Sequence, residues 1–370
     1  MSDTISLASG YGSFLTPTVA TEAAVRAIRA GQLPLGDPAG LPALREALAR
    51  RYQLAGKCLH PEQVVVTPGA KAALFAVLST VLRPGDEVLL LTPHWFGFDD
   101  LVARAGGTLR LLPLSSDNNY ELDPAQLRAA LSPRTRVLLF SNPNNPTGRV
   151  YHAEALAELL SVTADFPDLY VLADEIYDLI TFGSQPVPSL LDFPDPRQRH
   201  VVVNGFSKSL ALVGWGVGYL VAPPAVARAC AAWQHATGAA VAIPNQHAAL
   251  AATRAAPGIA SGLINQLHRN RQRLLERLET LPNVPPVHPE ATYYAFPDLR
   301  AHLNPELPAE QASAELVACL LAAGVEVVDG TRCGAPGFVR LSYAVPEPVL
   351  RAGLNHLTHA LAAGRCLREA

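Results

Sequence analysis

The sequence predicts an α/β protein with a three-layer large domain, built on a mainly parallel seven-stranded sheet, and a smaller α+β domain. Three observations predict it. From about residue 60 to 222, strand-like apolar runs alternate with helix-like stretches, the order that a doubly wound sheet requires. Those runs are apolar throughout rather than alternating, as strands covered on both faces must be. After residue 259 the rhythm changes to one long helical stretch, followed by strands and helices in mixed order.

Val64 to Thr67 reads as the first strand of the alternating region. A helix over Ala70 to Leu82 follows, stopped by Arg83-Pro84-Gly85-Asp86. Val88 to Thr92 is a strand, a helix runs to Gly106-Gly107, and Leu109 to Leu114 is the next strand. Asp123-Pro124 supplies an N-cap with proline at the first helical position. Val137 to Ser141, Leu169 to Asp174, Val201 to Asn204 and Tyr219 to Ala222 complete the seven strands. In the tail, Ile259 to Leu281 fits one helix with Arg269, Arg271, Arg273, Glu276 and Arg277 outward, and the proline-rich stretch Pro282 to Pro289 turns the chain. Strands are expected at Tyr293 to Phe296, Val325 to Val328 and Val339 to Tyr343, with helices over Ala309 to Ala323 and from Glu347. The expected division is residues 36–265 for the large domain, with 1–35 and 266–370 forming the small one.

Composition narrows the function. The chain has 370 residues, 49% of them hydrophobic, which is ample for two cores and excludes wholesale disorder. With 29 Lys+Arg against 32 Asp+Glu, no basic excess exists to hold a phosphate backbone or an anionic membrane. Charged residues make up only 16%, so part of the surface is expected to be hidden at a subunit interface. Five scattered cysteines, Cys58, Cys230, Cys319, Cys333 and Cys366, suit reduced thiols in a cytoplasmic protein better than a disulfide framework. No secretory signal, membrane-spanning run or metal-ligand spacing is read.

Ligands of open parallel sheets sit beyond the carboxyl ends of the strands. Four polar segments follow strands: Thr67 to Lys71, Asn142 to Gly148, Asp174 to Tyr177, and Ser207-Lys208-Ser209. Two nucleotide motifs fail. Gly214-Trp215-Gly216-Val217-Gly218 has Tyr219 where a dinucleotide fingerprint needs its third glycine, and Lys208-Ser209 has Ser207 where a phosphate loop needs glycine. Lys208 is the informative residue. A lysine desolvated at a strand end has a lowered pKa, and its free amine would capture an aldehyde cofactor as a Schiff base. Asp174 ends an apolar strand, where an unpaired carboxylate is costly. It would hold a pyridinium nitrogen protonated and make the ring an electron sink, while Tyr177 could donate to the ring's phenolate oxygen.

Taken with Gly69-Ala70-Lys71, Asn145-Pro146-Thr147-Gly148, Gly214-Trp215 and Val339-Arg340-Leu341-Ser342-Tyr343, these residues resemble the class I/II aminotransferases. Those are fold-type-I enzymes that use pyridoxal 5′-phosphate (PLP). The resemblance spans nearly the whole chain in the same order. It implies an enzyme that moves an amino group between an L-amino acid and a 2-oxo acid, a homodimer with sites at the interface, and no metal. By the same resemblance Lys208 is the internal-aldimine and proton-transfer lysine, and Asp174 the pyridinium partner. Tyr177 and Asn145 bond the ring oxygen, and Trp95 stacks on the ring. Ala70 and Lys71 hold the phosphate through backbone N–H groups, with Ser207 adding a hydroxyl. Arg340 forks the substrate α-carboxylate, completed by Asn145 and the backbone at Gly10.

Two positions depart from that family. Gly216 stands where a phosphate-binding arginine is usual, and Leu35 where a tyrosine crosses the dimer; the segment after Gln234 also lacks the usual serine and threonine. Another cation, such as the Lys71 ammonium, then substitutes, or the cofactor is held more weakly. The same groups serve C–S lyases and other α-carbon lyases, so these stay as the alternative; a non-catalytic binding protein is disfavoured by the presence of Lys208 and Asp174. No second arginine is evident for a distal carboxylate, and Tyr11, Phe14, His94, Trp95 and Tyr293 lean toward a neutral or aromatic donor.

Overall fold

The computed structural model describes residues 4–362 apart from 32, 35, 53–58 and 239. The chain starts with β1 (Ile5–Ser6), α1 (Thr18–Arg29) and α2 (Pro42–Arg51). The alternating region then runs β2 (Val64–Thr67), α3 (Ala70–Val81), β3 (Glu87–Thr92), α4 (Gly97–Arg104), β4 (Thr108–Pro113), α5 (Pro124–Ala130), β5 (Thr135–Ser141), α6 (Ala153–Thr163), β6 (Tyr170–Asp174), β7 (His200–Gly205) and β8 (Gly218–Val221). Helices α7 (Pro224–Thr237), α8 (Ile243–Arg254) and α9 (Ala256–Glu279) follow. The tail holds β9 (Tyr294–Ala295), α10 (Ala309–Ala322), β10 (Val325–Glu326), β11 (Val328–Asp329), β12 (Val339–Ser342) and α11 (Glu347–Ala362).

Seven strands form one sheet in the order β2-β8-β7-β6-β5-β3-β4. All are parallel except β8, which runs against both β2 and β7. Residues 206–217 carry no helix to make a parallel crossover, so the chain turns straight back. The all-apolar strands are explained by two cores. Val64, Val66, Leu138, Phe140, Val171 and Val202 face one, while Val65, Val137, Leu139, Leu172, Val201 and Val203 face the other. Side chains alternate strictly along a strand, so a sheet covered by helices on both sides needs apolar residues at every position.

Local signals act as read. Asp123 Oδ1 accepts from Ala125 N at 2.8 Å and caps α5. Asp86 caps the turn after α3 by accepting from Arg83 N at 2.9 Å, with Gly85 at φ +90°. The expected single strand Val325–Val328 is two pieces, because the chain there serves two sheets. β10 pairs in parallel with β1, and β11 pairs antiparallel with β12, which continues to β9.

A third core, apart from the large sheet, gathers Leu267, Leu274 and Leu278 of α9, Leu316 and Leu320 of α10, Leu341 of β12, and Leu7. Leu7 is stitched in by Leu7 N to Glu326 O at 2.8 Å and Ser342 N to Leu7 O at 2.7 Å. By contrast α1 packs along α8 and puts Ala20 and Ala24 into the first core. The packing therefore divides the first 35 residues, where the sequence grouped them all with the small domain. Cys230 and Cys333 are buried free thiols, but Cys319 is in a disulfide, which corrects the expectation of five reduced cysteines. Distance along the chain does not limit which thiols packing brings together; Cys58 and Cys366 lie outside the described residues. Among the described residues no helix is long and apolar enough to cross a membrane.

One glycine ties the sheet to α3. A Cβ on Gly218 would sit 2.4 Å from both Ala70 N and Gly69 C, atoms of the backbone that starts the helix. Gly218→Ala is expected to lower the unfolding free energy by about 1–3 kcal/mol through that overlap. Urea denaturation measures it, and an unchanged midpoint would mean that β8 shifts freely.

Candidate active site

Because β2, β3, β5, β6 and β7 are parallel, their carboxyl ends open on one edge of the sheet. That edge receives Gly69-Ala70-Lys71 after β2, Trp95 after β3, Asn145 after β5, Asp174 as the last residue of β6, and Ser207-Lys208 after β7. Strand β12 brings Arg340, and the segment after β1 brings Gly10. Lys208 and Tyr294 both bond the Gly10 carbonyl, and Tyr294 also reaches Tyr177, while Arg340 bonds Asn145 and Ala8.

Lys208 Nζ donates to the Gly10 carbonyl at 2.5 Å and lies 4.2 Å from the centre of the Tyr11 ring. Burial pulls the amine down to about 8, with the positive charges of Arg340 and Lys71 adding to the effect and Asp174 opposing it. Asp174 is buried, and its carboxylate accepts one hydrogen bond, from Ile176 N at 3.3 Å. Burial pushes its carboxyl up to about 7, against the Ile176 N–H and the Lys208 charge. The turn beneath is braced by Asp178, which accepts from Arg51, from Asn204 Nδ2 at 2.9 Å and from Ser209 Oγ at 3.2 Å.

Arg340 is 3% exposed and pairs with no carboxylate among the described residues. Its Nη1 donates to Asn145 Oδ1 at 3.1 Å and its Nη2 to Ala8 O at 3.2 Å, while Nε is buried without a partner. The guanidinium lies 4.3 Å over the Tyr294 ring. Tyr294 is a site residue that the sequence reading missed. Its hydroxyl donates to Gly10 O at 3.2 Å and bonds the Tyr177 hydroxyl at 3.0 Å, while Tyr293 donates to the same carbonyl at 3.0 Å. The available signal was two adjacent tyrosines in a buried strand, each needing a partner for its hydroxyl.

Gly69, at φ +90°, precedes the first turn of α3, so the N–H groups of Ala70 and Lys71 begin that helix. Ser207 makes no hydrogen bond within the described residues. Trp95 packs edge-on to Phe98 with centres 5.3 Å apart, and the Lys71 ammonium lies 5.1 Å from its ring. Gly216 has φ +61° and open space around its Cβ position, and Leu35 lies outside the described residues. Gln234 is structural: its Nε2 donates to Pro38 O and Val66 O. Gly148 marks a close contact, since a Cβ there would meet Ala291 O at 2.8 Å.

These groups fit PLP. A buried carboxylate without an ion pair suits a ring N–H⁺, a desolvated amine suits the aldehyde, and a helix start suits the phosphate. The aromatic side chains singled out earlier serve mostly as structure. His94 is buried against Asp99, with Nε2 2.9 Å from its carboxylate, and Phe14 packs on Tyr293 at 6.1 Å.

The profile of the family described as "Aminotransferase class I and II" matches residues 2–357. The aspartate/prephenate aminotransferase of Thermus thermophilus is 35% identical over 97% of this chain and 91% of its own. The probable aspartate/prephenate aminotransferase of Aquifex aeolicus is 32% identical, with the same coverage. Among solved structures, the T. thermophilus aspartate aminotransferase with maleate superposes with a TM-score of 0.88 at 35% identity, covering 97% of this chain and 92% of that one. The Rhizobium meliloti aspartate aminotransferase gives 0.90 at 28% identity, with the same coverage.

The electrostatics of Lys208 make a pH prediction for the cofactor-free protein. Only the free amine attacks an aldehyde, so the rate of PLP capture should rise with pH up to about 8 and level off above it. Stopped-flow absorbance between pH 6 and 10 measures it. A rate still rising at pH 10 would show a solvated lysine instead.

Proposed function

Because the chain belongs to the aminotransferase class I and II family, we propose that Lys208, Asp174 and Arg340 are the working groups of its active site. The protein is a PLP-dependent aminotransferase, moving an amino group between an amino acid and a 2-oxo acid. When bound, PLP supplies an electron sink for bond breaking at the donor's Cα. In our reading the chain's own side chains do the rest. Arg340 takes the donor's α-carboxylate in a forked pair, flanked by Asn145 and the Gly10 backbone. Lys208 would hold the cofactor through its aldehyde carbon, and its free amine would take the proton from the donor's Cα. Asp174 would keep the ring nitrogen protonated, and Tyr177 and Asn145 would bond the ring oxygen. Trp95 would cover a ring face, while Ser207 and the backbone of Ala70 and Lys71 would hold the phosphate. The observation that carries this reading is Arg340, a buried guanidinium with an unpartnered Nε and no carboxylate opposite it.

The donor proposed is an acidic amino acid. Support comes from relatives named aspartate aminotransferases and from one structure described with maleate, a dicarboxylate. This replaces the lean toward neutral or aromatic donors, since Tyr293 and His94 are occupied in the packing described above.

A homodimer is also proposed. Among the described residues, six of the ten exposed large apolar side chains, Tyr11, Leu15, Val19, Val25, Ile28 and Leu33, fall between residues 11 and 33, with Leu15 93% exposed. A contiguous stretch of this kind is what a second copy covers, and Tyr11 links it to Lys208.

Lys208→Ala should abolish the visible band of bound PLP and reduce turnover with aspartate and 2-oxoglutarate by at least about a thousandfold, on the scale of losing a nucleophile and base together. Spectra and a coupled assay measure it. Release of pyruvate and ammonia from cystathionine without an oxo acid would instead favour a lyase. Ile28→Asp should shift the protein toward monomer in sedimentation velocity; an unchanged species would place the interface elsewhere.

A further inference from the structure

Two guanidinium groups share one aromatic ring at the site. Arg332 lies 4.0 Å over the Phe96 ring, and Arg340 lies 5.6 Å from the same ring centre. Phe96 follows Trp95 directly, so this ring borders the position assigned to the cofactor's face. The two charges are therefore no further apart than those distances laid end to end. A four- or five-carbon dicarboxylic amino acid carries its two carboxylates on a span of that order.

The contrast between the two arginines is informative. Arg340 is buried and held by Asn145 and Ala8. Arg332 is exposed, with a ring over one face and no hydrogen bond or ion pair to any described residue. The acidic side chains of the two segments that meet here are occupied: Asp99 by His94 Nε2 at 2.9 Å, and Asp329 by Thr331 N at 2.9 Å and Ser313 Oγ at 2.7 Å. Arg300, another arginine stacked on a phenylalanine, shows the usual alternative, since its guanidinium is tied to Asp298.

The backbone that carries Arg332 is stiff. It lies in the one-turn helix Gly330–Cys333, capped by Asp329. A Cβ on Gly330 would meet Ala335 O at 2.4 Å, so the turn admits no side chain there. Cys333 O accepts from His94 N at 3.1 Å, fixing the turn to the segment that carries Trp95 and Phe96. An unpaired cation on a rigid support beside the α-carboxylate arginine is arranged to meet a second anion.

We propose that Arg332 binds the side-chain carboxylate of the donor and sets the preference for dicarboxylic over uncharged amino acids. This rests on the reading of Arg340 as the α-carboxylate residue and of the donor as acidic. Arg332 is a specificity-determining residue in this proposal and takes no part in proton transfer.

The test is steady-state kinetics of the PLP-loaded enzyme with aspartate, glutamate and alanine, together with maleate binding read from the cofactor's absorbance. Arg332→Gln should lower kcat/KM for aspartate and glutamate about 10- to 100-fold, mainly through KM, as expected for one lost charge-assisted pair. It should weaken maleate by a similar factor and leave alanine within about twofold. Arg332→Lys should recover part of the loss. An equal fall for aspartate and alanine, or no change for aspartate, overturns the role of Arg332. A wild-type enzyme that transaminates alanine but neither acidic donor overturns the donor reading and this proposal with it, and leaves the aminotransferase assignment standing.

Discussion

Two charges taken out of water organise this molecule. Asp174 ends the central β6, and Arg340 sits in β12 of the other domain; both are buried, and neither is in an ion pair. Such groups are costly in isolation and become favourable once an opposite charge arrives. The carboxyl answers the cost by rising to about 7, so the ligand-free protein holds it partly protonated near neutral pH. Folding thus leaves the site electrically incomplete, one acid and one base short of balance, in the pattern a cationic ring and an anionic substrate would fill. The surrounding hydrogen bonds, from Asn145 on Arg340 and from Ile176 on Asp174, orient these groups without neutralising them.

The geometry depends equally on how the two domains meet. Gly10 O collects three donors, from Lys208, Tyr293 and Tyr294. A carbonyl has two lone pairs, so this is a crowded acceptor, and the donor with a pKa near 8 is the one whose bond depends most on pH. Gly148 performs a similar joining role from the large domain, its carbonyl receiving Glu290 N and Ala291 N at 3.0 Å. The residues proposed for the site come from the large sheet and from the carboxyl-terminal strands, and these backbone contacts set the register between them.

Much of this was legible in the sequence because the decisive signals were local. The apolar strands, the Asp123 cap and the polar residues following each strand depend on neighbours in the chain, and parallel order alone brings the strand ends to one edge. The motifs around Lys208, Asp174 and Arg340 were readable for the same reason, and the roles proposed for them rest on those motifs. What was not legible depends on contacts across the fold. Tyr294 looked like one more core aromatic until its hydroxyl met Gly10. Val325 to Val328 read as one strand, since nothing nearby announces that its two halves serve different sheets. The allegiance of α1 to α8 and the pairing of Arg332 with Phe96 link residues more than two hundred positions apart. A pattern with no local period carries no trace of them.

The stitching of Leu7 between Glu326 and Ser342 has a consequence for how the protein is made. The segment around Leu7 finds these partners only after residues 326 and 342 have been synthesised. The large sheet, complete by Val221, can assemble first. The segment carrying Gly10 waits unattached until β10 and β12 appear. Lys208 therefore gains its carbonyl partner last, so the reactive amine is brought under control at the end of synthesis rather than during it. The two ends of the chain close the site like a clasp, and a chain that stopped short of residue 325 would lose the Gly10 contact however well its sheet had folded.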